Sequence, residues 1–260
     1  SFRYFPYWQP TLSNSHRLVI DILQVFLLYL RNKKAEEESS LKLFFSYCKY
    51  RFFLSMELNQ ETLKKAYNYL SKDPCLDHLI NKFSNNIDIS ERFNENYPLA
   101  LAYLIIEQQV SFKAAITIKK RFINKVEDLS NDEIIELKDK DLQSIGISYR
   151  KATYIRNVFM FFKDCKFDFT GASNHEVINE LTKIKGIGVW SSEMFLMFVL
   201  MRINIFSKGD LALMNSVKIN YKIDIKDQSK VNSLVESWSP YKSVASLLLW
   251  KSIEEKYFYT

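Results

Sequence analysis

The chain has 260 residues, 47% of them hydrophobic, which is enough to bury a sizeable core in one or two domains. It contains only 5 glycines and 5 prolines, which argues against an all-β sandwich, a fold that needs a turn every ~8–12 residues. The net charge of +6 is compatible with nucleic-acid binding, while the 3 cysteines and 3 histidines are scattered and argue against a zinc site or an iron–sulfur cluster. Unpaired cysteines fit a reducing compartment, so we expect an intracellular protein.

The first predicted element is an apolar run at Leu18–Leu30. Two polar residues interrupt it, and it falls short of the ~20 apolar residues of a membrane span. We therefore expect a buried or partner-facing helix and no membrane association. The pattern changes at Met56, where a new amphipathic helix is predicted as far as Leu70. We interpret residues 1–55 as an N-terminal extension of unknown role, either non-native or a tether to a partner, and residues 56–260 as the functional domain.

Helical patterns follow one another after Met56, so we predict an all-α domain. A polar connection is expected through Lys230. The other predicted helices are one that opens at Asp73-Pro74, one from Pro98 towards Ser111, Phe112–Arg121 with Ser111 as its cap, Asn131–Leu137, Tyr149–Lys163 after a minor glycine hairpin at Gly146, two within 181–198, Leu211–Asn220, and one from Pro240 to about Glu255.

The segment Lys185-Gly186-Ile187-Gly188 uses two of the chain's five glycines within three positions. Glycine serves where the backbone must adopt positive φ or must be approached closely by another molecule. Between two helices, such a hairpin directs backbone N–H groups outward at the N-terminus of the second helix, which makes an anion site suited to a phosphate. The alternative is a plain helix–turn–helix corner. Candidate contacts are Lys185, Gly186, Gly188 and Val189.

The stretch Leu181–Phe198, followed by Gly209-Asp210, resembles the helix–hairpin–helix signature of the HhH-GPD superfamily of DNA glycosylases. The resemblance extends over about residues 56–260. It implies two helical subdomains that flank a DNA-binding cleft. Three further segments resemble elements of this family and fall in the same order. Ile105–Ser111 resembles the loop that enters the gap left by a flipped nucleotide, and Leu142–Ala152 resembles the helix pair ahead of the hairpin. Trp238–Trp250 resembles the C-terminal helix of the 3-methyladenine DNA glycosylase II branch.

Asp210 can act as the N-cap of the helix that follows it, and the resemblance adds a catalytic role. A fixed carboxylate stabilises the positive charge that develops on the sugar when an N-glycosidic bond breaks, and it can align the attacking water. Bifunctional family members carry a nucleophilic lysine two places after the second hairpin glycine. Trp190 stands there in this chain and offers no amine for a Schiff base, so we expect a monofunctional enzyme.

Trp190 and Trp250 are predicted by the resemblance to line the base pocket, where their rings would attract a cationic alkylated purine. The alternative is that both are core aromatics. Gln108, Gln109 and Ser111 belong to the loop that contacts DNA. We favour Gln109 as the residue that fills the vacated base stack, with Gln108 as the other candidate, although adjacent glutamines are commonly just solvated.

These features predict a monofunctional DNA glycosylase that releases alkylated purines of the 3-methyladenine and 7-methylguanine type. Two alternatives stay open: a glycosylase of the same fold for oxidised or deaminated bases, and a helix–hairpin–helix DNA-binding module whose catalysis has lapsed. We expect a monomer whose partner is double-stranded DNA with damaged bases. We expect no metal and no cofactor, and leave open a structural monovalent cation at the hairpin.

Overall fold

The computed structural model of the protein describes residues 58–87, 89 and 93–259. The predictions made for residues 1–55, including the helix at Leu18–Leu30, lie outside this range. The first described helix begins at Gln60, four residues after the predicted start at Met56, because the side chain of Asn59 caps it by accepting a hydrogen bond from the Thr62 backbone N–H at 2.9 Å. No helix in the described part of the chain is both long and apolar enough to span a bilayer.

All regular elements in the described residues are helices, which confirms the predicted all-α class. There are twelve of them in this part of the chain: α1 Gln60–Leu70, α2 Pro74–Phe83, α3 Tyr97–Glu107, α4 Phe112–Val126, α5 Asn131–Glu136, α6 Asp139–Ser144, α7 Tyr149–Asp164, α8 Asn174–Leu181, α9 Val189–Phe198, α10 Leu211–Tyr221, α11 Gln228–Ser237 and α12 Lys242–Glu254.

The helices pack as two groups, as the prediction of two helical subdomains requires. The central subdomain comprises α3–α9, in which α3 packs against α4, α7 and α9, while α5 and α6 lie on α7 and α8 lies on α9. The terminal subdomain is built around α12, which packs against α1, α2 and α10. The described part of the chain therefore begins in the terminal subdomain, forms the central one, and returns at α10. This return brings the segment before α10 to the junction of the two groups.

Burial explains why these helices form. Helix α3 is apolar on nearly all sides because it lies in the middle of the central subdomain, with Leu101 and Ile105 completely buried. Phe195 of α9 is also fully buried, and its ring meets Tyr97 and Phe169 edge to face at centroid distances of 5.2 and 5.7 Å. This aromatic cluster fixes α9 against α3 and so sets the direction of the hairpin that precedes α9.

Several helix bounds differ from the prediction, and α4, for example, ends at Val126 instead of Arg121. The helix before the glycine hairpin begins at Asn174, because Ser173 and Glu176 form a capping box there, and it ends at Leu181, where the predicted stretch began. The polar connection predicted through Lys230 is instead the start of α11, which Asp227 caps by accepting from the Lys230 N–H at 3.1 Å. Among its residues only Val231 and Val235 are buried, so its hydrophobic pattern is too sparse to read.

Candidate functional site

The two hairpin glycines meet different structural requirements. Gly186 has φ = 110°, and a Cβ on it would lie 2.3 Å from Cγ of Tyr154, so both backbone and space demand glycine. Gly188 has φ = −108° and ψ = −176°, a conformation open to any residue, and a Cβ there would meet nothing within 4 Å. The packing of the protein therefore explains Gly186, whereas Gly188 leaves the backbone open towards solvent.

The N-terminus of α9 is exposed at this open surface. Gly188 is its N-cap and supplies no side-chain hydrogen bond, so the first N–H groups of the helix are not capped by a side chain. Val189 is 55% exposed, and Lys185 is also exposed. The structure thus brings Lys185, Gly186, Gly188 and Val189 together at a helix end with an attraction for anions.

Asp210 receives three hydrogen bonds from N–H donors. As predicted, it is the N-cap of α10, with Oδ1 accepting from the Leu213 backbone N–H at 2.8 Å. Nε1 of Trp250 donates to the same oxygen at 3.0 Å, and Nε1 of Trp190 donates to Oδ2 at 2.8 Å. Hydrogen bonds to an ionised acceptor are the stronger kind, so this half-buried carboxylate is held in a fixed orientation.

A cavity of about 490 Å³ lies in front of Asp210, between the two subdomains. Trp190 and Trp250 line it, and neither is fully buried, so they are not simply core residues. Phe198 stacks on Trp250 with a centroid distance of 5.9 Å. Because both indole N–H groups are directed at Asp210, the tryptophans offer only their ring surfaces to a molecule in the cavity. Other lining residues are Ile87, Glu107, Val110, Ile116, Lys119, Met194, Leu247, Lys251 and Glu254.

The two adjacent glutamines of the loop between α3 and α4 have side chains in different surroundings. Nε2 of Gln108 donates to the Gly186 carbonyl at 3.2 Å and to Oγ of Ser191 at 3.0 Å, so this side chain is bound to the hairpin region. Gln109 is exposed and its backbone is left-handed, with φ = 54°. Ser111 caps α4, as predicted, by accepting from the Ala114 N–H at 3.4 Å. Of the two, Gln109 has the side chain that faces solvent.

Sequence reasoning missed Glu193 and Ser207. The Ser207 hydroxyl donates to Oε2 of Glu193 at 2.5 Å, and the Ser207 carbonyl accepts from the Asp210 backbone N–H at 3.2 Å. Burial raises the pKa of the Glu193 carboxyl. The hydrogen bonds of Glu193 and Ser207 support the loop that leads from α9 to Asp210. The available signal was an acidic residue within the otherwise uncharged stretch Val189–Phe198.

No three His, Cys, Asp or Glu side chains within residues 58–87, 89 and 93–259 lie close enough together to hold a metal ion. The expected absence of a cofactor and the structural cation left open at the hairpin both remain predictions. The site as described consists of an anion-attracting helix end, a fixed carboxylate and an aromatic cavity.

Comparison with known proteins agrees with this arrangement. The model of the HhH-GPD superfamily of base excision DNA repair proteins matches residues 102–240. YfjP of Bacillus subtilis, provisionally named a DNA-3-methyladenine glycosylase, is 30% identical over 226 residues, which cover 78% of each chain. The crystal structure of a DNA-3-methyladenine glycosidase from Bacillus halodurans is 32% identical with a TM-score of 0.58, covering 73% of this chain and 90% of its own.

A second solved structure is that of Schizosaccharomyces pombe 3-methyladenine DNA glycosylase, Mag1, in complex with abasic DNA. It is 26% identical with a TM-score of 0.67, and the match covers 73% of this chain and 97% of Mag1. The family match, the relatives and the fold point to one assignment. The chain belongs to the HhH-GPD superfamily of base excision DNA repair proteins.

Proposed function

We propose that this protein is a monofunctional DNA glycosylase that hydrolyses the N-glycosidic bond of alkylated purines in duplex DNA. The observation that carries the proposal is the carboxylate of Asp210, held by two indole N–H groups at the wall of an aromatic cavity. The relatives reported above carry the names of DNA-3-methyladenine glycosylases, provisionally so for YfjP, and support the same substrate class.

Asp210 assists the bond cleavage. When the bond between the base and deoxyribose breaks, positive charge develops on the sugar ring, and a carboxylate already oriented towards it stabilises that charge without further reorganisation. The three N–H donors keep Asp210 in place, because rotating it away would break charge-assisted hydrogen bonds. The same carboxylate orients the attacking water. The products are the free base and an abasic site.

The cavity selects the base through aromatic surface and charge. Trp190 and Trp250 expose ring faces rather than hydrogen-bond donors, and ring faces attract cations such as purines alkylated at a ring nitrogen. The lining also carries the carboxylates of Glu107 and Glu254, paired with Lys119 at 3.7 Å and Lys251 at 2.9 Å. With Asp210 this makes three acids against two lysines, a balance that favours a cationic base.

Strand cleavage is not part of the proposed reaction. A lyase step requires an amine that forms a Schiff base with the sugar, and position 190 holds an indole bound to Asp210. The enzyme grips DNA phosphates with the hairpin residues Lys185, Gly186, Gly188 and Val189, and Gln109 fills the gap left by the flipped nucleotide. It acts as a monomer and without a cofactor, on damaged double-stranded DNA in the nucleoid or nucleus.

The test is the release of methylated bases from alkylated duplex DNA under single-turnover conditions. Asp210→Asn should lower the rate by about 10²–10³-fold, because the amide carries no negative charge. Asparagine is as good an N-cap as aspartate, so thermal unfolding and binding to a duplex with an abasic-site analogue serve as controls for folding. Equal rates for wild type and variant would refute the role of Asp210.

A panel of single-lesion duplexes tests the substrate class. Preferred release of an oxidised or deaminated base would replace the proposed class by another glycosylase activity of the same fold. Binding to DNA with no base release from any lesion would instead indicate a lapsed enzyme. The two indole hydrogen bonds to Asp210 argue against the latter, because capping α10 requires only the bond from the Leu213 N–H.

A further inference from the structure

Gln109 has a backbone conformation that requires support. Its φ of 54° lies in the left-handed region, which is unfavourable for a residue with a side chain. It directly follows Gln108, the C-cap of α3, and its side chain is exposed to solvent. Contacts made with the residues next to Gln109 therefore determine whether its side chain points towards a bound DNA.

Lys151 holds the loop from one side. It is the third residue of α7, and its Nζ donates to the carbonyl of Ile106 at 2.8 Å and to that of Gln108 at 2.7 Å. These carbonyls lie at the C-terminal end of α3, where the helix leaves its last acceptors unpaired and where its dipole attracts a cation. Burial, and secondarily Arg150, lower the pKa of Lys151, as expected for an ammonium group withdrawn from water.

The side chain of Gln108 holds the loop from the other side. It donates to the carbonyl of Gly186 in the hairpin and to the hydroxyl of Ser191 in the first turn of α9. Gln108 is thus bound by its carbonyl to α7 and by its side chain to the hairpin. The loop and the phosphate-binding hairpin are consequently parts of one hydrogen-bonded unit, joined at the residue before Gln109.

We propose that Lys151 is a positioning residue for base flipping, which holds the loop 108–111 so that Gln109 enters the vacated stack when the hairpin engages a phosphate. The inference rests on the proposed function and deepens it. Lys151 is not among the residues that line the cavity in front of Asp210, so it acts through the loop and does not touch the reacting atoms.

The experiment measures insertion of the loop without any bond cleavage. The duplexes carry an abasic-site analogue opposite or beside 2-aminopurine, whose fluorescence reports on base stacking in the gap. The affinity for this duplex is compared with the affinity for an undamaged duplex at one salt concentration. Lys151→Met keeps the aliphatic stem and removes the donors. Lys163→Met is the matched control on the same helix, since its exposed pair with Asp132 at 2.8 Å contacts neither the loop nor the hairpin.

Lys151→Met should weaken binding to the abasic-analogue duplex by about tenfold or more, since a hydrogen bond to a charged donor contributes on the order of one decade in affinity. Binding to the undamaged duplex should change no more than in Lys163→Met. The 2-aminopurine fluorescence change should be reduced to the same extent as in a second variant, Gln109→Ala. The double variant Lys151→Met/Gln109→Ala should bind the abasic-analogue duplex no more weakly than either single variant. Lys151→Arg should restore part of the lost affinity.

Other outcomes would overturn the inference. These are equal losses for both duplexes, additive effects of Lys151→Met and Gln109→Ala, or a wild-type protein that does not distinguish the duplexes. Gln108→Ala provides a second variant if Lys151→Met does not fold, and unchanged discrimination by a folded Gln108→Ala would refute the coupling. Wild type that discriminates but releases no base would refute the proposed function and leave this inference standing.

Discussion

Replacement of Gly188 by alanine should weaken DNA binding with little change in stability, whereas replacement of Gly186 should lower stability. In Gly188→Ala the backbone angle of −108° suits alanine, and the new methyl group meets nothing within 4 Å. Loss of freedom in the unfolded chain stabilises the variant by about 0.4–1 kcal/mol, and the poorer N-cap costs a similar amount. The free energy of unfolding should therefore change little, and the Tm by less than about 4 °C.

Gly186→Ala should instead lose stability. A side chain at φ = 110° costs about 1–3 kcal/mol, and a Cβ at 2.3 Å from the Tyr154 ring forces a shift that costs about 1–3 kcal/mol more. The sum of about 2–6 kcal/mol corresponds to a fall in Tm of at least about 4 °C for a chain of this length. Thermal unfolding followed by circular dichroism measures both variants.

DNA binding should be weakened in Gly188→Ala although its stability is nearly unchanged. The methyl group of Gly188→Ala lies at the open N-terminus of α9, where the proposed phosphate contact forms, so affinity for duplex DNA should fall by about 10-fold or more, the equivalent of one charged hydrogen bond. Fluorescence anisotropy at fixed salt measures the affinity. A stable Gly188→Ala protein that binds DNA as tightly as wild type would refute the argument that Gly188 is glycine because DNA approaches it.

Three further predictions concern Trp250 and Cys75. Trp250→Phe removes the hydrogen bond to Asp210 but keeps an aromatic ring beside Phe198. The rate of single-turnover base release should therefore fall by about tenfold or more. An unchanged rate would show that the indole N–H has no part in orienting Asp210. Burial raises the pKa of the Cys75 thiol to about 12, so in the native protein iodoacetamide at pH 8 should modify the partly exposed Cys165 before Cys75, as read by mass spectrometry. Because the pKa of Cys75 in the folded state lies above the ordinary value of 9.0, its contribution to stability is complete below pH 9 and is lost as the pH rises towards 12. A free energy of unfolding that does not decline between these pH values would contradict this.

Local signals in the sequence predicted a large part of the site. The hairpin was visible because Gly186 and Gly188 stand out in a chain with few glycines, and the caps Ser111 and Asp210 precede apolar helical patterns. Each of these features depends on residues within a few positions of one another. Capping and turn chemistry are local, so a single sequence carries them.

The contacts that orient the site depend on the tertiary fold and left no local trace. The side chain of Gln108 bonds to residues 78 and 83 positions away, and Lys151 reaches carbonyls 43 and 45 positions away. Helix α11 was missed because it buries little apolar surface. A pattern within one segment cannot report which distant segment packs against it, so these features became visible only in the folded structure.

The hydrogen bonds around Asp210 also bear on how the site matures during synthesis. Trp190 precedes Asp210 by 20 residues and Trp250 follows it by 40, so the hairpin and the first indole are made well before the second one. A nascent chain that stops before α12 has already produced the hairpin but lacks one of the donors that orient the carboxylate. The residues proposed to grip DNA are therefore made before the last donor to Asp210, and a chain interrupted between them is expected to be inactive in base release.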